Sequence, residues 1–208
     1  MKKTVSMLLM LALLLCGFAA AEAGGFELGH MEDSLYVNDE MGLAFEVSDV
    51  SGMGYFVSYA GDDLTDANGC AWNDSEALQA KLDEDQVLTC FAYGDASARI
   101  AGAINMVKIT VESPAEGADD PQLAMLEEGK AALEAQAKEN GYNMEKAEIG
   151  EMEIAGATYP SLSIDLESGG RHKQMTYVAI LGGDHVYRIS FDMDSSEVAS
   201  YVSHFSAR

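Results

Sequence analysis

The sequence predicts an α+β domain: a central antiparallel β-sheet packed against one long and one or two short helices. Two observations carry this. The stretch from Asp119 to Gly141 has a helical start signal, a stop signal and helical apolar spacing. After it, the pattern switches to a period of two between turn residues. With 208 residues and 48% apolar side chains, the chain can bury a core without a metal or disulfide framework.

Residues 1–21 have the build of a secretory signal peptide. Met1-Lys2-Lys3 is a basic start, Met7 to Leu15 is apolar but too short to span a bilayer, and small residues follow. Cleavage after Ala21 or Ala23 fits a small-x-small rule. Cys16 offers a second route, lipidation at the new N-terminus, but Leu15 stands where a small residue normally precedes such a cysteine. Residues 22–34, Gly-rich from Gly24, read as a flexible leader, and residues 35–208 as a single domain with no transmembrane span.

Leu35-Tyr36-Val37 and Leu43 to Val47 flank the turn-rich Asn38 to Gly42, which predicts a hairpin. Ser51 to Asn73 reads as strand and loop without a period. Asp74 or Ser75 caps a short helix over Glu76 to Leu82, and two β-rich runs follow, Val87 to Tyr93 and Ile104 to Val111.

The long helix comes next. Asp119 and Asp120 supply a cap and a favourable charge, Pro121 suits the first turn, and Asn140-Gly141 ends it. Leu126, Gly129, Leu133 and Ala137 form a stripe that should face a sheet, with Gly129 expected at a close approach to a strand. Glu127, Glu128, Glu134, Lys138 and Glu139 form the solvated face. Met144 to Ile149 and Glu151 to Ile154 are short strands divided by Gly150. Leu162, Ile164 and Leu166 alternate with polar residues in a half-buried strand. Met175 to Leu181 and Val186 to Met193 are apolar on both faces and belong in the sheet interior. Asp194 and Glu197 form an acidic capping box for a last helix carrying Val198, Tyr201, Val202 and Phe205.

Thirty-five acidic residues against 12 basic give a formal charge of -23. That excludes a nucleic-acid binder, which needs clustered Lys and Arg, and disfavours docking to an anionic membrane. Cys70 and Cys90 either pair, closing a loop of about 20 residues for roughly 3 kcal/mol in the chain-entropy model, or remain separate buried thiols. His30, His172, His185 and His204 sit in different elements without metal-ligand spacing to Cys, Asp or Glu, so no metal site and no cofactor is expected. Asp62 to Gly69 carries the D-x-N-G core of a calcium loop. However, Leu64 and Ser75 fall where its first and last acids are required. No nucleophile elbow or phosphate loop is present, and carboxylates are too numerous to single out an acid/base pair. Tyr159, Tyr177, Tyr187 and Phe191 are candidates to line a binding groove, with core packing as the default for strand aromatics.

The order of several motifs resembles the PsbP/MOG-like superfamily, and within it small exported proteins and lipoproteins of Gram-positive bacteria. These motifs are Tyr36-x-Asn38 with Gly42-Leu43-x-Phe45, Ile104 to Val107 before the long helix, Glu148-Ile149-Gly150, Ile154-Ala155-Gly156, and Gly182-Gly183-Asp184-His185-Val186-Tyr187-Arg188-Ile189 before the last helix near Phe205. The resemblance implies an antiparallel sheet with helices against it, and a binding or assembly role without catalytic motifs. The expectation is an exported, non-catalytic binding or assembly module for an unknown protein or small-molecule partner. A secreted hydrolase using a carboxylate pair and a calcium-stabilised surface protein are the alternatives.

Overall fold

A computed structural model describes residues 26–50, 52, 54–95 and 105–208. The expected signal peptide and Cys16 lie outside them.

Among the described residues the strands form two antiparallel sheets rather than one. The smaller runs β1 (His30–Glu32), β2 (Leu35–Asn38), β3 (Leu43–Glu46), then β11 (Phe205–Ala207). The larger has seven strands. In spatial order these are β4 (Phe56–Ala60), β5 (Leu88–Asp95), β6 (Asn105–Glu112), β10 (His185–Asp192), β9 (Arg171–Gly182), β8 (Ala157–Ser168) and β7 (Asn143–Ile154). Helix α1 (Thr65–Asn68) continues a 3-10 turn over Gly61–Leu64, and α2 (Ser75–Leu82), α3 (Pro121–Glu139) and α4 (Ser195–Val202) complete the set. No helix of the described residues is long and apolar enough to cross a membrane.

The helix starts follow local chemistry. Asp74, Asp120 and Asp194 each accept a backbone N–H of the first turn, from Ala77, Leu123 and Ser196. Glu197 does not close the expected capping box; its carboxylate instead accepts from the Asn105 side chain and ties α4 to β6. In the first hairpin, buried Asn38 accepts the Met41 N–H at 2.8 Å and Gly42 adopts φ +74°, which closes the turn between β2 and β3.

The two faces of the large sheet are packed differently. Its inner face meets the small sheet, α2 and α4 around an aromatic cluster. Phe91 lies 4.5 Å from Tyr36 and 5.4 Å from Phe45 between ring centroids, and Phe45 lies 4.9 Å from Phe205. On the outer face, Met125, Leu126 and Ala137 of α3 pack on Leu162, Ile164, Leu166, Met175, Ala179 and Val186. That helix covers only the β7–β10 half.

Several sequence expectations change. The flexible leader does not extend through residues 26–34: Leu28 is wholly buried, its carbonyl accepts the Tyr36 hydroxyl at 2.7 Å, and β1 pairs with β2. Burial of Leu28 and backbone pairing hold a segment that its glycines suggested was free. β7 runs unbroken through Gly150, paired to β8 on both sides of it. The last helix stops at Val202, and Phe205 pairs with Phe45 in β11. Gly129 meets no atom within 4 Å of where a Cβ would stand, so no strand approaches it.

Candidate functional site

The predicted groove aromatics do not converge. Tyr187 and Phe191 are wholly buried in the inner core, against which Tyr159 packs half-buried. Tyr177, half-buried, packs on the outer face beside α3. Strand parity separates them, because residues on opposite sides of the pleat cannot line one surface. Core packing therefore accounts for Tyr187 and Phe191.

Tyr187 also joins a clasp. Glu40, in the β2–β3 turn, lies 2.8 Å from His185 Nδ1 and accepts the Tyr187 hydroxyl at 3.1 Å, while the Phe26 ring lies tilted against His185 at 4.4 Å between centroids. A Cβ on Gly182 would collide with the Glu40 carbonyl, and one on Gly183 with the Glu40 side chain. The Gly-Gly pair thus allows the two turns to touch.

Cys70 and Cys90 are both free thiols here, half-buried and buried respectively. Burial pushes the Cys90 thiol up, with Glu40 adding to the effect, so it is no thiolate nucleophile. The Asp62 to Gly69 stretch is wound into the 3-10 turn and α1. Its Asn68 amide holds Thr89 of β5 through bonds of 2.8 and 2.9 Å.

Two carboxylates with opposed shifts stand far from forming a dyad. Burial raises Glu112 against the nearby Arg188 charge, whereas bonds from Gln174 and His172 lower Asp165. Strand register puts Glu112 on the outer face and Asp165 on the inner. A shallow cleft of about 500 Å³ opens between α3 and the sheet, lined by Gly129, Leu133, Tyr177, Arg188 and Ser190. The missing side chain of Gly129 helps leave it open. A second open depression borders the end of α3 and the start of β7.

The most distinctive surface lies on the half of the outer face that α3 leaves bare. β4 is the edge strand, and no described strand pairs with its far side. Register aligns Val57 with Gly94 and Met106, and Tyr59 with Ala92 and Lys108. Gly94 and Ala92 therefore floor a shallow trough along β5, walled by larger side chains on β4 and β6. Val57 is 51% exposed, Tyr59 48% and neighbouring Tyr55 69%. Sequence reasoning missed this surface, because Ser51 to Asn73 has no readable period and an edge position is a property of strand order.

Sequence spacing, which pairs no histidine with metal-ligating partners, also missed a grouping on the inner face. His172 Nδ1 lies 3.0 Å from Asp165 Oδ1 and 3.5 Å from Glu145 Oε2. The Asp165–His172 contact spans the β8–β9 hairpin, and a seven-residue offset across that turn was its only sequence signal.

No family model matches the chain, and no curated protein matches it. Among solved structures it is similar to the solution structure of cyanobacterial PsbP (CyanoP) from Synechocystis sp. PCC 6803. The TM-score is 0.46 at 9% identity, over 92% of this chain and 99% of that chain.

Proposed function

We propose that this protein is an exported, non-catalytic binding or assembly module that takes an extended segment of a partner protein onto the β4 edge. Export rests on the basic, apolar and small-residue sequence of residues 1–21. The observation that carries the binding role is the β4 edge, which no described strand pairs and whose outer-face side chains Val57 and Tyr59 are exposed. An unpaired edge offers alternate N–H and C=O groups to an added strand, and the outer-face side chains of that strand would pack beside the exposed Val57 and Tyr59. Exposed large apolar groups gathered in one place on a folded domain mark interaction surfaces.

The charge of the protein selects the partner's composition. At a formal -23, it attracts a segment rich in Lys or Arg and repels an acidic one. The occupant is thus extended, basic and apolar on alternate positions.

A blocked peptide of alternating lysine and valine is the probe. It should bind saturably, weaken as salt rises, and shift the amide resonances of β4 and β5 alone. A Val57→Lys, Tyr59→Lys double variant should lose that binding while keeping its fold. Shifts spread over other elements, no binding at all, or equal binding to the variant would reject the reading.

A further inference from the structure

We infer that Glu145, Asp165 and His172 form a binding site for a transition-metal dication of the zinc class on the inner face of the large sheet. Their three donor atoms all lie within 4.8 Å of one another. Around a tetrahedral zinc with ligand bonds of 2.0–2.2 Å, donors sit about 3.3 Å apart. The Nδ1 atom of His172 is already 3.0 and 3.5 Å from the two carboxylates, so small side-chain rotations close the set.

The backbone builds this arrangement. Register slips between Met144 and Lys146, leaving Glu145 as the extra residue opposite Asp165. At such a bulge two consecutive residues, here Glu145 and Lys146, stand against one partner, Asp165. Asp165 is held from behind: Gln174 Nε2 donates to its Oδ2 at 3.0 Å, and Gln174 Oε1 accepts the Ser195 N–H at 2.8 Å. One carboxylate oxygen is thereby fixed and the other faces His172. A ligand oriented by a fixed neighbour is the usual support of a metal site.

Donor chemistry decides the metal class. One imidazole nitrogen with two carboxylates suits zinc and its transition-metal neighbours, whereas calcium and magnesium prefer all-oxygen shells. The metal would replace the direct contact between His172 Nδ1 and Asp165 Oδ1, and water would complete its coordination. With Glu145 on β7, Asp165 on β8 and His172 on β9, a bound ion would pin three strands at the solvent-exposed end of the sheet.

Titration of the protein with zinc chloride, followed by calorimetry and by thermal melting, tests the site. The expected result is one saturable zinc per chain that raises the melting temperature and is removed by chelator. His172→Ala and Glu145→Gln should each weaken binding at least tenfold. Both replace exposed side chains, so melting without metal should stay unchanged; if one variant misfolds, the other decides. Gln174→Leu should weaken binding less than either. Absence of zinc uptake by the wild type would overturn the site. So would variants that titrate like the wild type, or calcium binding as tightly as zinc.

Discussion

The two faces of the seven-stranded sheet solve one problem in opposite ways. The inner face is sealed by the small sheet, α2 and α4, with aromatic rings interlocked across the gap. The outer face is covered by α3 over β7–β10, and among the described residues no helix packs over β4–β6. Apolar residues on the sealed face drive folding by leaving water. On the β4–β6 half, Val57 and Tyr59 are about half exposed, and no described residue buries them further. The proposed function rests on this contrast: the packed inner face would supply most of the stability and the β4 side of the outer face the binding edge.

Substitutions should separate these roles in order of size. Phe91→Ala removes a wholly buried ring from the centre of the sealed face and should cost about 3–5 kcal/mol in denaturant unfolding. A cost below about 1 kcal/mol would mean that this face is not the main core. Gly182→Ala forces a Cβ into the Glu40 carbonyl and should cost about 1–3 kcal/mol, with loss of the β2–β3 to β9–β10 contact in amide exchange.

Alkaline titration probes the same face without mutation. Burial holds the Tyr36, Tyr93, Tyr187 and Tyr201 phenols protonated, with Tyr93 pushed up to about 12. Their folded values lie above the unfolded value of about 10. The associated stability is therefore complete below that pH and is lost as pH climbs toward 12 and beyond. Phenolate absorbance from this group should appear together with loss of near-ultraviolet circular dichroism. Full ionisation of every tyrosine with that signal intact would contradict the sealed face.

On the covered half of the outer face, Gly129→Ala meets open space and should stabilise α3 by about 0.5–1 kcal/mol. Destabilisation there would mean that the cleft is filled. The smallest effect on folding belongs to the open half: Val57→Thr with Tyr59→Ser should change unfolding by no more than about 0.5 kcal/mol while abolishing peptide binding.

Much of the covered architecture was readable from local chemistry. Asp120, Pro121 and Gly141 bound α3 because caps act within a few residues. Leu162, Ile164 and Leu166 alternate because a pleat has period two, and β9 and β10 read as interior strands, where the structure places them. The division into two sheets was not readable, since it depends on β1–β3 pairing only with one another and with Phe205–Ala207 from the far end of the chain. The Gly182-Gly183 pair showed a turn, but its reason is Glu40, brought there only by folding. Both proposed sites share that origin: one is an edge fixed by strand order, and the other joins side chains of three strands around a bulge.

The division of labour is tested most directly by placing a photo-crosslinking side chain at Tyr59 and, in a second variant, at Glu127 on the exposed side of α3, in cells producing the protein. The account predicts a discrete adduct from position 59 whose mapped peptide is rich in Lys or Arg, and none from position 127. No adduct at 59, or the same adducts from both positions, would contradict it.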